Sequence, residues 1–442
     1  MAFNTALSGL QAASAALNVT GNNIANASTT GFKSSQAEFG DVYASSVLGG
    51  GQNVIGSGVT LTDVEQNFAQ GNLSFTKNAL DLAINGNGFF IVNSQGQQQY
   101  TRNGAFGVDN NGNLVDNSGA FLQGFPASSS GQIAGQLGNL QVVSGNLAPI
   151  QTTGLNGLVN LDSREVSPTA TPFDPNDQDT YNHATSISVF DSQGNSHVMT
   201  KYFVKDPAPA TNQWTMYVLI DGDDVGRPAG GVAPSASSTP TRQSYTLNFS
   251  DDGALTGTVP ATLVVDGWVP VDSNGTYNGT ELPGGAAALP TDPPSTSNFV
   301  IDMTGSTQFG SVFAVNDINQ NGFAAGLLTG VDIASTGEVF ARYTNGQSRI
   351  LGQVALANFS NVEGLSPQGN TQWAETFESG NPIVGTPGSS SLGVIQSGAL
   401  EESNVDLSQE LVKLILAQRN YQANARAIET ESTVTQAILQ LR

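Results

Sequence analysis

The chain has 442 residues, room for about three domains with cores of their own. Only 11% of residues are charged, against about 25% in an ordinary soluble domain, and 36 acids face 14 bases for a net charge of −22. Nucleic acid and anionic lipid both need clustered Lys and Arg, so this balance argues against either as a partner, and the absence of cysteine excludes disulfides and thiolate chemistry.

The first element is an alanine-rich helix over residues 1–28. Phe3, Leu7, Leu10, Leu17 and Ile24 recur at heptad spacing, with Ser14 and Gly21 in the two remaining places. Gly9 and Gly21 each weaken it by about 1 kcal/mol relative to Ala, so alone it is marginal. Asn18, Asn22 and Asn26 form a second row along it, suited either to solvent or to amide hydrogen bonds between helices. There is no basic n-region ahead of a compact apolar stretch, as a secretory signal requires, and no run of about 18 apolar residues to span a membrane. Gly31, Phe32 and Lys33 mark the helix stop and the start of an extended linker. From Phe39 to Gly58 the chain reads as irregular.

From about Val59 the period changes to two. Short strands alternate with Asx-Gly turns such as Asp109-Asn110-Asn111-Gly112, Asp191-Ser192-Gln193-Gly194 and Asp251-Asp252-Gly253. Proline-rich composition shifts near 149–180 and 282–296 bracket a separate β-rich block. Acids outnumber bases there by about three to one. After Gln353 a strand gives way to an irregular stretch and then to a helix, free of Gly and Pro from Ala399 onward, with Ser403 and Asp406 spaced as in a capping box. On this helix Leu407, Leu411, Leu414, Tyr421, Ala425, Ile428 and Leu439 repeat the heptad stripe, with Gln418 in the seam.

The expected fold is α+β and multidomain: a terminal α-helical coiled-coil pair with nested all-β domains between. Residues 1–30 with 400–442 form the helical core, and 31–75 with 361–399 form linkers. A β-domain takes 76–148 with 298–360, and a second β-domain, 149–297, is inserted into it. Two apolar stripes at opposite ends of one chain point to assembly rather than catalysis. No nucleophile elbow, phosphate-cradling loop or metal-ligand spacing is present, and no cofactor is expected. The segment Asp109–Asn113 lacks the glycine and glutamate of a calcium loop and reads as a hairpin turn. His183 and His197, the only histidines, read as structural.

The segment LSGLQAASAALNVTGNNIANASTTGFKSSQAEF closely resembles the N-terminal signature of the bacterial flagellar rod and hook axial proteins. NALDLAI at 78–84, GNGFF at 86–90 and YTRNG at 100–104 fit the next shared stretch, and SGALEESNVDLSQELVKLILAQRNYQANARAIET fits the C-terminal one. The resemblance covers mostly 1–125 and 320–442. A chain this long, with an inserted β-domain, is similar to the hook members rather than the shorter rod members. The resemblance implies a homopolymer forming a curved, flexible tube that passes motor torque to the filament. It places the terminal helices in an inner coiled-coil tube and the β-domains in outer shells. It also implies the distal rod, hook cap, hook–filament junction proteins and flagellar type III export apparatus as partners, and an extracellular place in the flagellum reached without a cleaved signal. A distal-rod-like axial protein and a β-rich adhesin are the alternatives.

Overall fold

Along Ser196–Lys205, the residues His197, Met199, Lys201 and Phe203 point inward and are buried, while their neighbours face out. That period-two pattern recurs along Gln213–Ile220, Gln243–Phe249 and Glu338–Tyr343, and it is what lets one face of a sheet bury a core. The computed structural model describes residues 2–42, 56–128, 131–142, 145–207, 212–226, 235, 241–272, 274–280 and 298–440; side chains are described up to 436. The chain divides into two units, Met1–Ser144 with Thr329–Arg342 and Ser348–Arg442, and Gly145–Leu328 with Tyr343–Gln347.

The first unit carries both helices, α1 (Ala2–Ala25) and α2 (Leu407–Gln440). Beside them β1 (Ser35–Asp41) pairs antiparallel with β2 (Val59–Gln66), with a bulge between Glu38 and Phe39. This hairpin occupies part of the stretch expected to be irregular: Val42 N donates to Gly58 O, so pairing continues past both strand ends. Gly49–Gly51 lie outside the described residues. The rest of the unit is a large antiparallel sheet that includes Phe89–Ser94, Gln97–Thr101, Phe121–Pro126 and Ser348–Val354. Its core is built from edge-to-face aromatics, with Phe68–Phe89 centroids at 5.7 Å, Phe89–Trp373 at 5.9 Å and Tyr100–Phe359 at 4.7 Å.

The expected second linker, 361–399, is not a free connector. Leu82–Asn85 pairs with Val394–Ser397, and Leu73–Phe75 pairs with Ala399–Glu401, so both linkers are zipped onto the sheet unit. The C-terminal helix accordingly starts later than its composition suggests. Ser403 and Asp406 do not form a capping box; Asp406 itself caps α2, accepting from Ser408 N at 2.8 Å and Gln409 N at 3.2 Å. At 1.5 Å per residue α2 is about 50 Å long.

The second unit packs two sheets around one core. Five strands run in the order His183–Phe190, Ser196–Lys205, Gln213–Ile220, Gln243–Phe249 and Leu255–Val259, with Asp223–Asp224 attached. The facing sheet orders Leu263–Val265, Phe299–Asp302, Gly154–Asn160 and Ala314–Gln320. Between them lie Trp214, Tyr245, Phe203, Phe299 and Leu155. The insertion therefore does not end at 297. Phe299–Asp302 pairs in parallel with Gly154–Asn160, and Ala314–Gln320 pairs antiparallel with it. Composition marked the proline-rich segment as a boundary, but strand pairing carries the unit on to Leu328.

The expected turns form. Gly112 and Gly194 both sit at φ +84, and each donates its N–H to the carbonyl of the aspartate that opens the turn. Asp109 accepts from the backbone N–H of Asn111 and Asn113, as the hairpin reading requires. The histidines share no partner. His183 stacks on Phe313 at 4.4 Å. His197 is held between Asp221, 2.6 Å from Nδ1, and Asp191, 3.2 Å from Nε2, with Trp268 edge-on. Asn278 donates to the same Asp191 carboxylate, so the histidine clamps three segments together.

Burial draws the His197 pKa down, but the hydrogen bonds to Asp191 and Asp221 outweigh it, and the imidazole titrates above its ordinary value. A raised folded-state value contributes stability that is fully present below about pH 6.5 and is lost as pH rises through the folded pKa. His197→Asn should therefore lower the Tm more at about pH 6 than at about pH 9. Equal losses at both would show that the imidazole charge contributes nothing.

Candidate assembly surface

Both helices are short of large buried side chains where they meet. They run antiparallel. Asn23 of α1 donates to Glu410 of α2 at 3.2 Å, and near the other end Gly9 lies against Asn424, where an added Cβ would come within 2.7 Å of its Oδ1. Among the described residues, Ala13, Thr20 and Asn23 are buried on α1, and Glu410 and Ala417 on α2. Small side chains let the two axes approach closely. Glu410 is held by Asn23 and by Lys413 at 2.7 Å.

The heptad stripes read from the sequence are not fully buried in this pair. Phe3 and Leu7 are exposed, at 45% and 38%; Leu10, Leu17 and Ile24 are half-buried. On α2, Leu407, Leu411, Gln418 and Tyr421 are exposed, and Leu414, Ala425 and Ile428 are half-buried. Leu439 has its side chain outside the described residues. Val412, Ile415 and Leu416, outside the predicted stripe, are exposed as well. Asn22 is exposed, and half-buried Asn26 donates to its Oδ1 at 2.9 Å. Each subunit thus closes its helix pair with small residues and leaves much of its large apolar surface outside.

Gly31, Phe32 and Lys33 sit where the helical pair joins the sheet. Gly31 adopts φ +70, its N–H donates to Glu401 O at 2.8 Å, and an added Cβ would lie 2.6 Å from Asn103 N. Only glycine meets both demands without strain. Phe32 is half-buried. Lys33 is fully buried, its Nζ 2.5 Å from Glu401 Oε1 and 2.8 Å from Ala69 O. Arg102 Nη1 meets the other Glu401 oxygen at 3.1 Å and donates through Nη2 to Gly86 O. Gly71 N also donates to Glu401. Burial draws the Lys33 ammonium below its ordinary value, with Glu401 opposing and Arg102 adding to the fall. Sequence reading singled out Lys33 as a turn residue but missed Glu401 and Arg102. The available signal was strand alternation from buried Ala399, which turns Glu401 inward and leaves its neighbour Glu402 exposed.

Four family models match the chain in order: a flagella basal body rod protein at 3–33, a flagellar hook protein FlgE/F/G D1 domain at 83–154, a flagellar basal body protein FlaE D2 domain at 160–323, and a flagellar basal body rod FlgEFG protein C-terminal region at 396–441. The flagellar hook protein FlgE of Salmonella typhimurium is 39% identical over all of both chains. The chain belongs to the flagellar hook protein family. That of Borreliella burgdorferi is 31% identical, covering 99% of this chain and 98% of its own. The crystal structure of Helicobacter pylori flagellar hook protein FlgE2 shares the fold at a TM-score of 0.51 and 13% identity, over 74% of this chain and all of its own. The role is structural and its place is the flagellar hook.

Removing one partner from a buried, hydrogen-bonded charge cluster costs about 3–5 kcal/mol. Lys33→Met should therefore loosen the join, read as faster amide exchange across 31–41 and 399–405 with the 145–328 unit unaffected. Gly31→Ala should act alike, through the backbone. Wild-type exchange in both variants would show that the join is held elsewhere.

Proposed function

We propose that the chain self-assembles into the curved, flexible tube of the hook, which carries motor torque to the filament as a universal joint. The observation that carries this is the pairing of α1 with α2 through small residues, which leaves Phe3, Leu7, Leu407, Leu411 and Tyr421 exposed for neighbouring copies. In this reading 1–30 with 400–442 build the inner coiled-coil core, and the seam residues Leu10, Leu17, Ile24, Leu414, Ala425, Ile428 and Leu439, with Asn22, Asn26 and Gln418, lie between subunits. The hairpin and zipped linkers form the next shell, and the β-units lie outside them. The subunit reaches the cell exterior through the flagellar type III export apparatus without a cleaved signal, and its tube meets the distal rod, hook cap and hook–filament junction proteins.

Bending during rotation requires each row of subunits to shorten and lengthen once per turn. A tight inner bundle with sliding outer contacts meets that need. Apolar seams, whose burial is worth about 25 cal/mol per Å², supply the first. Outer surfaces of Ser, Thr, Asn and Gln, with few ion pairs to fix one register, supply the second.

Leu7→Asp and Leu411→Asp test the seam. Both positions are exposed in the subunit, so its fold should survive, while a charge buried between copies costs several kcal/mol per subunit. Tube formation should fail in each; normal tubes from either would remove that stripe from the interface. Salt tests the balance of forces. At a net charge of −22, repulsion between copies is screened over about 10 Å at 0.1 M, and excluded anions such as sulfate strengthen apolar burial. The critical concentration for assembly should fall with salt, more in sulfate than in chloride at equal ionic strength. A critical concentration that rises with salt would mean that ion pairs hold the polymer.

A further inference from the structure

Phe377 is fully exposed, at 102%, on a loop that is not free to fold it away. Thr376 N donates to Ser379 Oγ at 2.9 Å, Thr376 Oγ1 donates to Gly364 O at 2.6 Å, and Ser379 Oγ donates back to Thr376 O at 3.0 Å. Ser379 is itself fully buried. The loop therefore presents the ring outward in a fixed geometry, flanked in sequence by Glu378 and by Glu375, whose Oε2 accepts from the Tyr100 hydroxyl at 3.2 Å. An aromatic presented this way suits the centre of an interface.

The same unit carries a groove of about 650 Å³ bounded by α1, α2 and the β1–β2 hairpin. Its α1 wall is small and mostly apolar, with Ala12, Ala16 and Val19; Ala423, Leu416 and Phe39 line it opposite, and Gln36, Asn420 and Asn424 give it polar edges. Lys413 stands at its rim, half exposed, with Glu410 beneath it already bonded to both Lys413 and Asn23. We propose that Phe377 of one copy inserts into this groove on a neighbouring copy, with Lys413 of the receiving copy facing the acidic flanks of the incoming loop. Size, and the knob's presence on this same chain, select a second copy. A row of alanines leaves space for one large ring, and Lys413, the one base in the lining, is already paired with Glu410 and adds only an edge contact to the acidic flanks. The inference rests on the homopolymer reading and assigns to it a specific knob and hole outside the heptad stripes.

The chain has no cysteine, so engineered thiols report without background. Glu378→Cys and Lys413→Cys subunits are mixed, polymerised and oxidised, and the products are separated under denaturing, non-reducing conditions. Both variants keep the Phe377 ring and the alanine-lined hole. The expected result is a covalent heterodimer in the polymer and none in the same mixture held as monomer. In parallel, Phe377→Ser should leave the Tm unchanged and raise the critical concentration at least about tenfold, as loss of a buried aromatic contact predicts. Tubes that form without cross-linking, or a wild-type critical concentration for Phe377→Ser, overturn the knob-and-hole contact while leaving the homopolymer intact. Failure of the wild-type chain to polymerise overturns both readings.

Discussion

The join between the helical pair and the sheet unit depends on one buried carboxylate. Glu401 lies just ahead of α2, Lys33 just after α1, and Arg102 follows the Gln97–Thr101 strand; the three charges meet with no exposure at Glu401 or Lys33. Desolvating such groups costs several kcal/mol per ion, and their attraction repays more of it as more of the remaining donors and acceptors are satisfied. Here Glu401 Oε1 also accepts from Gly71 N, and the two bases also donate to Ala69 O and Gly86 O, while the buried Arg102 Nε is left without a partner. Lysine and arginine cannot trade a water shell for this arrangement in any other register, so the cluster fixes where both ends of the chain leave the sheet. Gly31 adds a steric condition at the same place.

With the ends fixed, the helix pair faces a conflict that a globular protein avoids. Closing the pair through its largest apolar residues would give the most stable monomer and leave little to drive assembly. The small-residue interface resolves this. Ala13, Ala417 and Gly9 give close approach with modest buried area, and the leucines left exposed in the subunit are available for the contacts between copies proposed above.

The second unit solves a different problem with the same chemistry. Its stability comes from a continuous core between two sheets, and one of the polar groups buried beside it, His197, is held by two aspartates. Burial pushes the Asp191 carboxyl up, but its hydrogen bonds with His197, Asn195 and Asn278 prevail and hold it at about 2. The clamp therefore keeps its negative partner across the whole range in which the histidine titrates. The loop that carries Asn278 is tied down by it through Asp191.

Local signals carried the helices, the heptad stripes, the Asx-Gly turns and the family signatures, because each is a pattern within a few residues of itself and needs no knowledge of what lies opposite. Tertiary structure decided what depended on distant partners. Phe299–Asp302 looks like any alternating strand; only its pairing with Gly154–Asn160 places it in the second unit. Glu401 and Glu402 are indistinguishable in composition, yet one is buried against Lys33 and Arg102 and the other is exposed. Both stripes of α1 and α2 were legible, but which face closes the pair was not. An apolar stripe states that a surface must leave water, and only the packing shows whether it does so within the subunit or between subunits.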